Sequence, residues 1–165
     1  MRREPQTLTS PFGWTATSDA EGTTVSLRDP QGQCRATWRQ QEREARLRVV
    51  RLRPHRHTVQ LLVGENPAGE AVVDNGLPRA ARRRDHNGSI GLHGRTYDVR
   101  HTRRWRSTLS LEGRTVAVGR KGWFGRSVLE RSQPLDQADE LALALFWFAV
   151  APGRPGKIWM TFESL

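Results

Sequence analysis

Along most of this chain apolar and polar residues alternate in short runs, and tight turns separate the runs. TVSLRDPQGQCRATWR (24–39) alternates, passes a D-P-x-G turn and alternates again, which is the pattern of a β-hairpin. ARLRVVRL (45–52) sets Leu47 and Val49 against Arg46 and Arg48, and VQLLVGENPAGEAVV (59–73) reads as strand, turn, strand. The alternation breaks at LPRAARRRDHNG (77–88), a basic run between turn-formers, and resumes after it. Strands are expected near 88–93, 95–100, 105–111, 114–119 and 125–131. Their turns fall at His93-Gly94, Arg103-Arg104, Glu112-Gly113 and the segment from Gly122 to Gly125. Tyr97 with Val99, Leu109 with Leu111 and Val116 with Val118 are two apart, so each pair shares one sheet face. Short turns between such runs imply antiparallel pairing.

One stretch departs from this style. LALALFWFAVAP (141–152) opens with eleven apolar residues and has no polar face. The segment PLDQADELALALFWFAVAPG carries helix grammar: Asp136 is placed to N-cap, Asp139 and Glu140 favour the positive end of the helix dipole, and Pro152-Gly153 stops the run. A helix over about 136–151 is about 23 Å long. It falls short of the roughly 20 apolar residues that span a bilayer. A helix apolar on every side has to be surrounded on every side. In a chain of strands, the natural enclosure is a closed barrel or a strongly curled sheet wrapped around the helix, with GKIWMTFE (156–163) as a last strand; a helix covered at an interface between subunits is the other arrangement that would bury it.

The helix near the C-terminus, the hairpin strands before it and the strand after it resemble the tubby C-terminal-like superfamily, which includes tubby domains, phospholipid scramblases and LURP-one-related proteins. The similarity is greatest from IGLHGRTYDVRHTRRWRSTLSLEGRTVAVGRKGWFG through PLDQADELALALFWFAVAP, which looks like the second half of small bacterial LURP-one-like proteins. The resemblance implies a mainly β fold, a barrel of about twelve antiparallel strands around one central hydrophobic helix. About six strands would precede the basic connection, five follow it and one follow the helix. The expected organisation is one domain over 1–165: a strand-rich first half (1–76), the basic connection (77–87) and a second half with the core helix (88–165). The resemblance also implies association with membrane lipid. It transfers no site residue: the chain has no acidic loop like the scramblase calcium segment, and a tubby-type phosphoinositide pocket does not align residue by residue.

Charge sharpens this picture. The chain has 165 residues and a formal net charge of +10, and Lys121 and Lys157 are its lysines, all other basic side chains apart from His being Arg. A GC-rich coding sequence accounts for Arg over Lys but not for the excess over acids, so the positive field favours anionic partners. Cys34 is a single cysteine, which rules out an internal disulfide and suits a reducing, cytoplasmic compartment. MRREPQTLTS has charge but no apolar core of a secretory signal. The expected location is the cytoplasm, with peripheral contact at the membrane.

Catalytic patterns are not found. Gly125-Arg126-Ser127 continues as Val128-Leu129 and makes no nucleophile elbow. GRPGK (153–157) lacks the first P-loop glycine at Ala151 and has Ile158 where Ser or Thr would bind magnesium. Gly88, Gly91 and Gly94 spell no dinucleotide fingerprint. His55 and His57 share a strand face and could be joined by His93 or His101 around a metal, but no carboxylate or Cys stands at a supporting spacing. Neither a cofactor nor a metal is expected. The functional leads are the basic clusters: Arg82, Arg83 and Arg84 in the connection; Arg103, Arg104 and Arg106 around Trp105; and Arg120 and Lys121 beside Trp123. Cations and aromatics at turns suit an anionic phospholipid surface. The same chemistry suits single-stranded nucleic acid, or an acidic protein in a scaffold role. The alternative for each cluster is that Trp105 and Trp123 face the core and the arginines are merely solvated. The oligomeric state is not legible.

Overall fold

A computed structural model describes residues 5–40, 52–53, 55–77, 87–103, 106–121, 127–132 and 134–150, with the side chains of Lys121 and Ser127 excepted. Eleven strands form one sheet whose spatial order is the chain order. They are β1 (Thr7–Thr9), β2 (Thr15–Ser18), β3 (Thr24–Arg28), β4 (Cys34–Arg39), β5 (Arg56–Val63), β6 (Asn66–Asp74), β7 (Gly88–Leu92), β8 (Arg95–Arg103), β9 (Arg106–Leu111), β10 (Arg114–Lys121) and β11 (Ser127–Arg131). Every neighbouring pair is antiparallel. Six of these strands precede the basic connection and five follow it. The strand expected at 45–52 and the one expected at 156–163 lie outside the described residues, apart from Leu52.

Turn chemistry sets the meander. Asp29 accepts the Gln31 and Gln33 N–H groups at 3.1 and 2.9 Å and closes the β3–β4 turn. His93-Gly94 and Glu112-Gly113 all have positive φ, between 50° and 80°, as the tight hairpin turns between β7 and β8 and between β9 and β10 require. Gly88 opens β7 against the β6 backbone. A Cβ there would collide with the Asp74 carbonyl oxygen. Gly88→Ala is therefore expected to cost about 2–3 kcal/mol of stability, read as a lower urea midpoint.

Alternation puts one face of the sheet inside. Val25 with Leu27, Val59 with Leu61, Ile90 with Leu92 and Tyr97 with Val99 are buried. Cys34 is half-buried on β4. These side chains pack around α1 (Gln137–Leu145), which continues as a π-helical segment, Phe146–Val150. From Leu141 to Val150 every residue is buried except Trp147, which is partly covered and meets Phe12 edge-on at 6.2 Å. The helix thus has no solvent face beyond its first turn, as its apolar composition requires. Near its end the Leu52 N–H donates to the Ala149 carbonyl, and the fully buried Asn75 side chain donates to the Leu52 carbonyl.

The expected closed barrel is not what the described strands form. The sheet is open, with β1 and β11 as its edges. The reason is one of direction. In an antiparallel meander of eleven strands the first and the last run the same way, so no antiparallel ladder can join them. No helix among the described residues is long and apolar enough to cross a membrane.

Candidate functional site

The same alternation of direction sorts the turns between two ends of the sheet. β6, β8 and β10 all end at one end of the sheet, and β7, β9 and β11 start there, because successive strands of the meander alternate in direction. In the sequence, the three basic clusters stand in or beside the three segments that follow β6, β8 and β10. Arg82, Arg83, Arg84, Arg104 and Trp123 themselves fall outside the described residues, as do Trp105 and the side chain of Lys121. The described members are Arg103, Arg106 and Arg120, and the ladders bring them together.

Arg103 on β8 pairs with Arg106 on β9, Arg106 pairs with Arg120 on β10, and Arg120 pairs with Val128 on β11. Directly paired residues point to the same face of a sheet, so the four form one row across four strands. Adjacent strands are about 4.8 Å apart, which sets the three arginine backbones within about 10 Å. The row is on the outer face. Arg103 and Arg120 are exposed, Arg106 is half-buried and Val128 is 51% exposed. Simple alternation along β8 would turn Arg103 inward, behind Tyr97, Val99 and His101. A register shift between His101 and Arg103 prevents this. One extra residue there reverses the facing, and Arg103 turns outward while His101 stays buried.

Charge in the row is partly compensated. Arg120 meets Glu130 at 3.5 Å, and both side chains are about half exposed or more, so the pair is weak. Among the described residues no carboxylate pairs with Arg103 or Arg106. The Nε of Arg106 is buried and has no acceptor among them. Behind the row, the His101 Nδ1 and Ser107 Oγ share a hydrogen bond of 2.7 Å on the buried face.

The opposite end of the sheet holds a different constellation, built around the helix start. Asp136 accepts the Asp139 N–H at 2.9 Å and Asp139 returns to the Asp136 N–H at 3.5 Å, a capping box. Asp139 is 2% exposed and also accepts the Tyr97 hydroxyl at 2.9 Å and Arg114 at 3.1 Å. Arg95 donates to Asp136 at 2.6 Å and stands 3.4 Å from Asp139. The Asp136 hydrogen bond holds the Arg95 guanidinium firmly protonated. This network ties the helix to β8 and β10. An open groove of about 510 Å³ beside it is lined by Arg35, His93, Asp136, Gln137 and Ala138, with both signs of charge.

Burial pushes the Tyr97 phenol up to about 12. An unfolded tyrosine ionises near pH 10, so the unfolded chain gives up this proton first. The contribution of Tyr97 to stability is intact below about pH 10 and is lost as the pH rises toward about 12. Alkaline denaturation followed by circular dichroism reads this slope, and Tyr97→Phe is expected to flatten it at a cost of about 1–2 kcal/mol near neutrality. Asp136 acts in the other direction. The Asp139 N–H first, and Arg95 second, hold its carboxyl below the usual range, so its contribution is lost only on strong acidification.

The four histidines weighed for a metal do not meet. His55 and His57 do lie ring to ring, at 6.4 Å, but His57 Nε2 binds the Arg53 carbonyl at 3.0 Å. His93 lines the groove at one end and His101 bonds Ser107 near the other. Among the described residues no group of three or more His, Cys, Asp or Glu is arranged to hold a metal ion. No protein-family model matches the chain, and no curated protein or solved structure matches it either.

Proposed function

We propose that this chain is a non-catalytic binding protein that associates peripherally with anionic phospholipid surfaces through the basic end of its sheet. One observation carries the reading: the in-register outer row of Arg103, Arg106 and Arg120, ending in the exposed apolar Val128. Each cation held near an anionic leaflet contributes about 1 kcal/mol, and an apolar side chain beside them suits the headgroup boundary. Of the remaining members of the basic clusters, Lys121 ends β10, and Arg82, Arg83, Arg84, Arg104 and Trp123 belong in sequence to the segments that follow β6, β8 and β10, strands that end at the same end of the sheet.

The resemblance to tubby and LURP-one-related proteins supports the same reading, because that superfamily includes membrane-associated members. It extends to the fold. We infer a barrel of about twelve strands, closed by a strand that runs opposite to both β1 and β11. The alternating segment 156–163 is our candidate for it, with Ile158, Met160 and Phe162 on one side.

Co-sedimentation of the nuclease-treated protein with neutral and with anionic vesicles tests the function. Pelleting with phosphatidylserine-containing vesicles that weakens with salt is the expected result. Pelleting with neither vesicle, together with a shift of single-stranded oligonucleotide at low salt, would replace the reading with nucleic-acid binding.

A further inference from the structure

Resting on that reading, we infer that Asn87 is the positioning residue of the anionic-lipid site. The arginine row exists because β8 carries a bulge after His101. The β7–β8 ladder ends at the pair Gly88 and Val99, so beyond it β8 has no β7 neighbour. Asn87, one residue before that ladder begins, fills the gap. Its side-chain oxygen accepts the His101 N–H at 2.8 Å. It therefore stands where the next main-chain acceptor of a longer β7 would stand.

This bond fixes the last inward residue of β8 from the β7 side. From the β9 side the buried Ser107 hydroxyl fixes the His101 ring at 2.7 Å. With His101 held from both flanks, the extra residue has to be accommodated between His101 and Arg103, and Arg103 emerges outward beside Arg106. Asn87 is itself exposed and lies at the foot of the basic connection. It thus links the start of β7 to the outward setting of Arg103 without touching the ligand. An alanine at 87 leaves the strands in place and takes the Asn87 acceptor away from the His101 N–H, and the facing of Arg103 is no longer fixed from the β7 side.

The test combines amide hydrogen exchange with vesicle binding on the full chain, using vesicles of phosphatidylcholine with phosphatidylserine. For Asn87→Ala the His101 amide is expected to exchange about tenfold faster, with cooperative melting retained. Binding to the anionic vesicles is expected to fall about fivefold, the loss of most of one cation's contribution. Asn87→Asp keeps an oxygen in place and is expected to restore slow exchange. Should Asn87→Ala not fold, the same two readings are taken on Asn87→Ser, whose shorter side chain falls short of His101. Unchanged exchange, or faster exchange with wild-type binding, overturns the role of Asn87 and leaves the lipid reading standing. A wild-type chain that ignores the vesicles overturns the lipid reading and the site role of Asn87 with it. The exchange rates then still decide whether Asn87 holds the bulge.

Discussion

Leu145→Asp leaves the chain without a cooperative folding transition. Leu145 is fully buried, in a helix whose residues from Leu141 to Phe146 are all buried. The substitution removes a core side chain, which costs about 2–5 kcal/mol. It also places an unpaired carboxylate among apolar groups, which costs several kcal/mol more whether the group ionises or takes up a proton. A domain of this size is stable by only about 5–15 kcal/mol, so the sum is comparable with the whole. Thermal melting followed by circular dichroism checks it. A native-like melting curve would mean that the helix is not enclosed by the sheet.

The second large effect falls on binding and spares the fold. Replacing Arg103, Arg106 and Arg120 together by alanine removes three cations from the outer row while the inward faces of β8, β9 and β10 stay intact. At about 1 kcal/mol each the loss is about 3 kcal/mol, or roughly a hundredfold in affinity for anionic vesicles at low salt. Screening shortens the reach of exposed charges from about 10 Å at 0.1 M salt to about 3 Å at 1 M, so the difference between variant and wild type shrinks at high salt. Arg28→Ala, at the opposite end of the sheet, serves as the control and costs only its share of the diffuse attraction. A triple variant that binds like wild type at low salt would remove the row from the site.

Much of the architecture was legible because it follows from local rules. Alternation located β3 to β11 to within a few residues, the D-P-x-G and x-Gly turns marked the hairpins, and Asp136 marked the helix start. The first two strands were not visible. All three residues of β1 are exposed, and β2 buries only Ala16 and Ser18, so neither shows the large apolar residues that reveal a strand. The π-helical turn at Phe146–Val150 has no counterpart in the apolar pattern, which reads as continuous helix.

The site was legible in composition and not in arrangement. Each cluster of arginines stands out along the chain, but their meeting depends on the parity of the meander and on pairwise register. Neither can be read from one segment at a time. The facing of Arg103 depends on a single inserted residue, and the spacing of Tyr97, Val99, His101 and Arg103 suggests the wrong face. The ties of Asp139 were missed for a related reason. Asp139 reads as a favourable helix-dipole charge, whereas its partners Tyr97, Arg95 and Arg114 are far off in sequence. A usable signal was present: Arg95 and Arg114 each follow a tight turn at the same end of the sheet, the end where the helix begins.

The most direct measurement places a polarity-sensitive fluorophore at either end of the sheet. Cys34→Ser removes the natural thiol, and Val128→Cys or Val63→Cys supplies one attachment point, since both valines are more than half exposed. Val128 closes the arginine row, and Val63 sits at the tip of the β5–β6 hairpin at the opposite end. With anionic vesicles at low salt, the label at 128 is predicted to shift to the blue and brighten while the label at 63 stays unchanged. A response at 63, or none at 128 while the protein pellets with the vesicles, would contradict the assignment of the basic end as the membrane-facing site.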